Sequence, residues 1–263
     1  MLNYQKTAQA FDLKTVANHL LSGSIDALNA CYECCDRYAD SERIALYWYG
    51  KDGRKEQYTF SELKKYASQF ANFLKSQGVG KGDRISGLLP RTSELIITIL
   101  AAWRIGAVYQ PLFTAFGSKA IEHRIKLANS KLVVTDLGNR HKLSEMTDCP
   151  TIVTVHVKQE AALYPQDLSF WTELNSQSET CELVMLNIND PFLLMFTSGT
   201  TGPAKPLHVP LKALIAFGGY MQDAIGLTAK DAFFFFFYPG WAYGMYYGIT
   251  GPLLLGHATL FYE

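Results

Sequence analysis

The chain has 263 residues, 48% hydrophobic and 18% charged, the proportions of an ordinary globular protein with a substantial buried core. Basic and acidic residues balance at 24 each, so no net field draws it to nucleic acid or to an anionic membrane. Five cysteines without a regular spread, and an N-terminus without the basic-then-apolar pattern of a secretory signal, point to the cytoplasm.

The first 55 residues read as helical and then as a strand, RIALYWYG. Cys31, Cys34 and Cys35 in CYECC lie on one helical face, and no second cysteine pair or Cys/His knuckle stands near them. They are expected to be buried helix thiols rather than metal ligands. Thr59 and Glu62 fit a capping box, and Leu63, Tyr66, Ala67, Phe70, Phe73 and Leu74 recur at helical spacing until Gly78 ends the helix. A strand at ISGLL follows, then a helix from Thr92–Ser93 to Gly106, a strand at AVYQPL, a helix capped by Ser118, and strands at KLVVTD and PTIVTVHV. The alternation predicts right-handed crossovers and a mainly parallel sheet. The strand PFLLMF, a helix over 211–224, and a strand–helix–strand tail complete the pattern.

Residues 232–262 contain no Asp, Glu, Lys or Arg. That length could cross a bilayer. Pro239, Pro252 and five glycines break it, so the expectation is a buried strand over 233–238, a short helix with Gly240, Gly244 and Gly248 on one face, and a strand near 258–262. No transmembrane segment is expected.

The stretch FTSGTTGPAKP, residues 196–206, follows a buried strand. Glycines in a tight turn expose backbone N–H groups, and the hydroxyls of Thr197, Ser198, Thr200 and Thr201 are short donors. Lys205 adds a positive charge. These features suit a polyphosphate, while a plain surface turn has the same composition. No GxxxxGK[ST] occurs, and Ser198 lacks the preceding glycine of GxSxG.

TSGTTG followed by lysine resembles the phosphate loop of the AMP-forming adenylating enzymes, which include acyl-CoA synthetases, luciferases and peptide-synthetase adenylation domains. The resemblance extends over YTFSELKKYASQFANFLKSQGVGKGDRISGLLP and ELIITILAAWRIGAVYQPLFTAFGSKAIEHRIKLANSKLVVTD. The tail GWAYGMYYGITGPLLLGHATLFYE is similar to the acetyl-CoA synthetase branch. The family implies an α/β fold with mainly parallel sheets and flanking helices, here an incomplete N-terminal domain. Residues 1–57 would form a helical segment and strand, and 58–263 a truncated AMP-binding domain. It also implies ATP with Mg2+, coenzyme A and a small carboxylic acid as reactants. By resemblance Thr197, Ser198, Gly199, Thr200, Thr201 and Gly202 grip phosphates and Lys205 is catalytic. Trp241, Ala242 and Tyr243 match acyl-pocket positions, with core packing the alternative. Arg140 matches a coenzyme A contact, with a solvated arginine the alternative.

The chain departs from the family at the loop exit, where Pro203 precedes Ala204 and Pro206 replaces a glycine. Proline has no N–H, and Pro206 pushes Lys205 toward extended backbone. The family's adenine-contacting segment and C-terminal domain would follow Glu263, so the stretch reads as the first half of an enzyme. The expected function is carboxylate activation and transfer to coenzyme A. A non-catalytic remnant or partner-binding module, and an adenylating enzyme with another acceptor, are the alternatives. The acid and the oligomeric state stay open.

Overall fold

The computed structural model describes residues 4–9, 12–156, 164–197, 203–228 and 231–263. Helices α1 (Tyr4–Gln9), α2 (Leu13–Leu20) and α3 (Ala30–Cys34) come first. They lead into a hairpin of β1 (Ile44–Tyr49) and β2 (Lys55–Thr59). Next come α4 (Phe60–Ser76), β3 (Arg84–Leu88), α5 (Ser93–Arg104), β4 (Val108–Pro111), α6 (Ser118–Ala128), β5 (Ser130–Asp136), α7 (Leu137–Arg140), β6 (Thr151–Val155), β7 (Leu168–Ser169) and α8 (Phe170–Asn175). The last part holds β8 (Pro191–Thr197), β9 (Lys205–Pro210), α9 (Ala213–Gly219), β10 (Phe233–Phe234), α10 (Gly251–Leu254) and β11 (Thr259–Tyr262).

Seven strands form one sheet in the order β7-β6-β5-β3-β4-β8-β9, and four form another in the order β10-β11-β1-β2. In the larger sheet only β9 runs antiparallel to its neighbour. In the smaller one β1 lies parallel to β11 and antiparallel to β2. The path β3–α5–β4 moves toward one edge, and β4–α6–β5 returns across β3 to the other side. Crossovers that reverse direction leave a crevice beyond the carboxyl ends of the strands, where open α/β sheets bind ligands. That rule directs attention to the loops after β3, β4 and β8.

Local sequence explains most elements. Thr59 and Glu62 form the expected reciprocal capping box of α4. Helix α5 is apolar nearly all round because it is buried between α3 and α4. At its end Trp103 donates from Nε1 to the Phe192 carbonyl at 2.9 Å, tying the helix to β8. The three clustered cysteines are buried and free, and burial pushes each thiol up, away from the reactive thiolate form. Among the described residues no helix is long and apolar enough to cross a membrane.

Several elements differ from the sequence expectation. Ser118 is the first residue of α6 rather than its cap; Gly117 holds the cap position, and Asn129, left-handed at φ 49°, ends the helix. The helix expected over 211–224 is shorter, and a π-helical segment, Tyr220–Ile225, continues it. The strand expected over 233–238 pairs only at Phe233–Phe234. It lies at a sheet edge, so Phe234 and Phe236 are exposed, at 52% and 69%. The uncharged tail then forms a second π-helical segment, Gly244–Thr250. Strand β9 was not anticipated: Pro206 and Pro210 argue against a strand, but an edge position tolerates them.

Candidate active site at the ends of β4 and β8

The hairpin of β8 and β9 carries the phosphate-like loop. Its last described pair sets Thr197 opposite Lys205, and Phe196 opposite Pro206. Lys205 is exposed on extended backbone, as Pro206 dictates. Ser198, Gly199, Thr200, Thr201 and Gly202 lie outside the described residues.

Directly below the hairpin mouth, a cleft of about 240 Å³ is lined by Pro111 at the end of β4, Phe116, Arg124 on α6, Met195 and Phe196 on β8, and the turn Gly240–Ala242. Trp241 packs its ring 5.5 Å from Phe113 and 6.0 Å from Phe116. The turn can approach this closely because residue 240 is glycine: an added Cβ would stand 2.7 Å from the Phe113 Cα. Gly244 likewise faces the Tyr238 carbonyl, where a Cβ would stand at 2.3 Å. The single glycine face expected of a helix is not formed: Gly240 lies in the turn that precedes the helical segment and packs on Phe113, while Gly244 and Gly248 within that segment meet Tyr238 and Phe235.

Arg91, just after β3, fastens this wall. Its guanidinium donates to the carbonyls of Phe236 and Tyr262 and lies 5.6 Å from the Tyr238 ring centroid. Tyr238 in turn donates from Oη to the Leu89 carbonyl at 2.6 Å. The loops after β3 and β4 and the turn at 238–242 therefore form one unit.

Of the acyl-pocket candidates, Trp241 and Ala242 line the cleft. Tyr243 is not among its lining residues; its hydroxyl meets that of Tyr220 at 2.5 Å, within a cluster that includes Phe235, Phe237 and Tyr247. Arg140 lies apart. The strand order puts β3 and β4 between β5, which precedes it, and β8, a lateral distance of about 14 Å. It is 4% exposed, and its guanidinium pairs with Asp167, with Nη2–Oδ1 at 2.9 Å. Asp167 also accepts from Thr154 Oγ1 at 2.6 Å, and the guanidinium lies over the Tyr164 ring. It is therefore a buried, paired arginine rather than a solvated one. A cavity of about 620 Å³ opens beside it.

Sequence reasoning missed Arg91, Phe113, Phe116 and Arg124. The signal that could have found them is topological, because all but Arg124 sit in loops at the carboxyl ends of β3 and β4. Among the described residues no group of three or more His, Cys, Asp or Glu could hold a metal ion.

Comparisons with known proteins establish the family and the fold. The model of the AMP-binding enzyme family matches residues 33–263, and the chain belongs to that family. It is 33% identical over 262 residues to the acetyl-coenzyme A synthetase of Bacillus subtilis (strain 168), an alignment that spans 97% of this chain and 45% of that protein. With the acetyl-coenzyme A synthetase of Methylobacillus flagellatus the identity is 32% over 262 residues, spanning 90% of this chain and 39% of that protein. A crystal structure of a Brucella canis acyl-CoA synthetase superposes with a TM-score of 0.95 at 46% identity, covering all of this chain and 48% of that one. The chain thus spans less than half the length of these relatives.

Proposed function

We propose that this chain supplies the phosphate-loop half of an ATP-dependent acid–thiol ligase. A carboxylate oxygen bonds to the α-phosphorus of ATP, the bridge to the β-phosphate breaks, and pyrophosphate leaves with that electron pair. The thiolate of coenzyme A then attacks the acyl carbon of the adenylate and AMP departs. The observation that supports this reading is that the two strands flanking TSGTTG, paired last at Thr197 and Lys205, stand beside an aromatic cleft at the carboxyl ends of β4 and β8.

Both reactants of the first step are anions, so charge neutralisation and alignment are what the protein must provide. Thr197, Ser198, Gly199, Thr200, Thr201 and Gly202 would hold phosphate oxygens, with Lys205 offsetting their charge. Mg2+ would arrive on the nucleotide, since its preferred ligands are phosphate oxygens and water. Trp241 and Ala242 would contact the acyl group, with Tyr243 behind them. A coenzyme A phosphate at Arg140 would have to compete with Asp167. The five free cysteines suit a cytoplasmic setting.

Acid-dependent ATP–pyrophosphate exchange, followed by thioester formation on adding coenzyme A, tests the reading on the protein that carries this chain. Exchange with at least one short or medium-length acid is expected. Pro203 and Pro206, which withdraw two N–H groups from the loop exit, favour the second reading, a binding module without turnover. Absence of exchange with every acid, alongside intact nucleotide binding, would decide for it.

A further inference from the structure

Three of the buried or half-buried arginines hold a carboxylate: Arg37 holds Glu33 at 2.7 Å, Arg104 holds Asp36 at 2.8 Å, and Arg140 holds Asp167. Arg84 and Arg91 instead donate to several backbone carbonyls. Arg124 has neither a carboxylate nor more than one such carbonyl. It is half-buried on α6, with its guanidinium carbon 4.2 Å from the Phe116 ring centroid and 5.5 Å from that of Phe196. Nη1 donates to the Ala120 carbonyl at 2.8 Å. Among the described residues no Asp or Glu stands within ion-pair distance of it. Burial alone lowers its pKa, where Asp167 raises that of Arg140.

Removing a guanidinium from water without a counter-ion is unfavourable, and ring stacking with one carbonyl offsets only part of that. The two rings also hold the planar group in place, so its remaining donors reach an anion at little entropic loss. The cleft that Arg124 lines supplies the space for one.

Position selects the anion. Phe196, which contacts Arg124, directly precedes Thr197 and the loop. At the far end of that loop, Pro203 and Pro206 offer no N–H to a phosphate. We infer that Arg124 is a phosphate-binding residue, a fixed cation that meets a β- or γ-phosphate oxygen of the nucleotide beside the loop. This rests on the adenylating function proposed above. In that reaction negative charge grows on pyrophosphate as the bridging bond breaks, and Arg124 stabilises it without transferring a proton. The same guanidinium facing the acid's carboxylate is the competing assignment.

The test uses Arg124→Gln and Arg124→Lys in the full protein, with inorganic tripolyphosphate and propionate as calorimetric probes. Loss of a charged, forked contact should weaken tripolyphosphate binding about tenfold or more in both variants and leave propionate binding unchanged. In the exchange assay KM for ATP should rise while KM for the acid stays constant. A change in propionate affinity or acid KM alone, or tripolyphosphate affinity that stays at the parent value, overturns the assignment. A measurement on the parent protein covers variants that fail to fold. Phenylglyoxal labelling of Arg124, read by peptide mass, should be slowed by tripolyphosphate and not by propionate; equal labelling with and without tripolyphosphate overturns the inference. Absence of exchange with Arg124-dependent tripolyphosphate binding would defeat the proposed function alone. Exchange with unaltered phosphate affinity would defeat this inference alone.

Discussion

Asp36 and Arg104 meet in a buried two-pronged ion pair, with Nη1–Oδ1 at 2.9 Å and Nη2–Oδ2 at 2.8 Å, that fastens the N-terminal helices to the end of α5. Both side chains are about 5% exposed or less. Replacing Asp36 with Ala leaves a buried guanidinium without its counter-charge, and such losses cost about 3–5 kcal/mol. The double variant Asp36→Leu/Arg104→Met should recover much of that. Urea unfolding midpoints check both, and a parent-like midpoint for the single variant would refute the coupling.

Asn29 is fully buried and joins three segments. Its Oδ1 accepts from the backbone N–H groups of Cys31 and Tyr32 at the start of α3. Its Nδ2 lies within 2.9–3.1 Å of the carbonyls of Trp103, Arg104 and Val184. Asn29→Ala leaves these groups unpaired at about 1–3 kcal/mol for each buried group. Thermal unfolding should show a loss larger than that of an ordinary helix-cap replacement, about 1 kcal/mol, for which Thr59→Ala serves as the reference.

Tyr109 presents the reverse case. Its ring is wholly buried on β4, its hydroxyl has no hydrogen-bond partner among the described residues, and burial pushes its phenol up. Tyr109→Phe keeps the packing and removes an unsatisfied polar atom. It should stabilise the protein by about 1 kcal/mol. A calorimetric decrease in melting temperature would mean that the hydroxyl holds something the fold needs.

Lys205 stands exposed on an edge strand, so its removal should leave stability within about 0.5 kcal/mol. Lys205→Ala should nonetheless raise KM for ATP about tenfold, the value of one charge-assisted contact. Equal nucleotide affinity in parent and variant would remove Lys205 from the site.

The parallel sheet and most of its crossovers were legible because apolar runs alternate with helical spacing and each helix announces its ends, as at Thr59 and Gly78. The TSGTTG motif stands out because its glycines and hydroxyls are contiguous and a lysine follows, and of the motif only Thr197 lies within the described residues. The cleft beside the β8–β9 hairpin was not legible. Phe116, Arg124, Met195 and Trp241 come from four separate segments, and nothing local in the sequence marks them as neighbours. Strand β9 was hidden by its prolines, and the exposure of Phe234 and Phe236 by their hydrophobicity. In both cases sheet-edge position, a tertiary property, overrode residue preference.

The pairing of β1 with β11 sets an order of assembly. Leu46 sits opposite Thr259 and Tyr49 opposite Tyr262, so β1 gains its parallel neighbour only when a strand far along the sequence is in place. During synthesis the β1–β2 hairpin must wait while the larger sheet, with its nearer partners, forms. Closing so distant a contact is slow relative to local structure. The apolar side chains of Leu46 and Trp48 stay uncovered through that interval. A chaperone that shields hydrophobic strands would act on this region first, and substitutions in β11 would be felt as poor yield before any change in the finished protein.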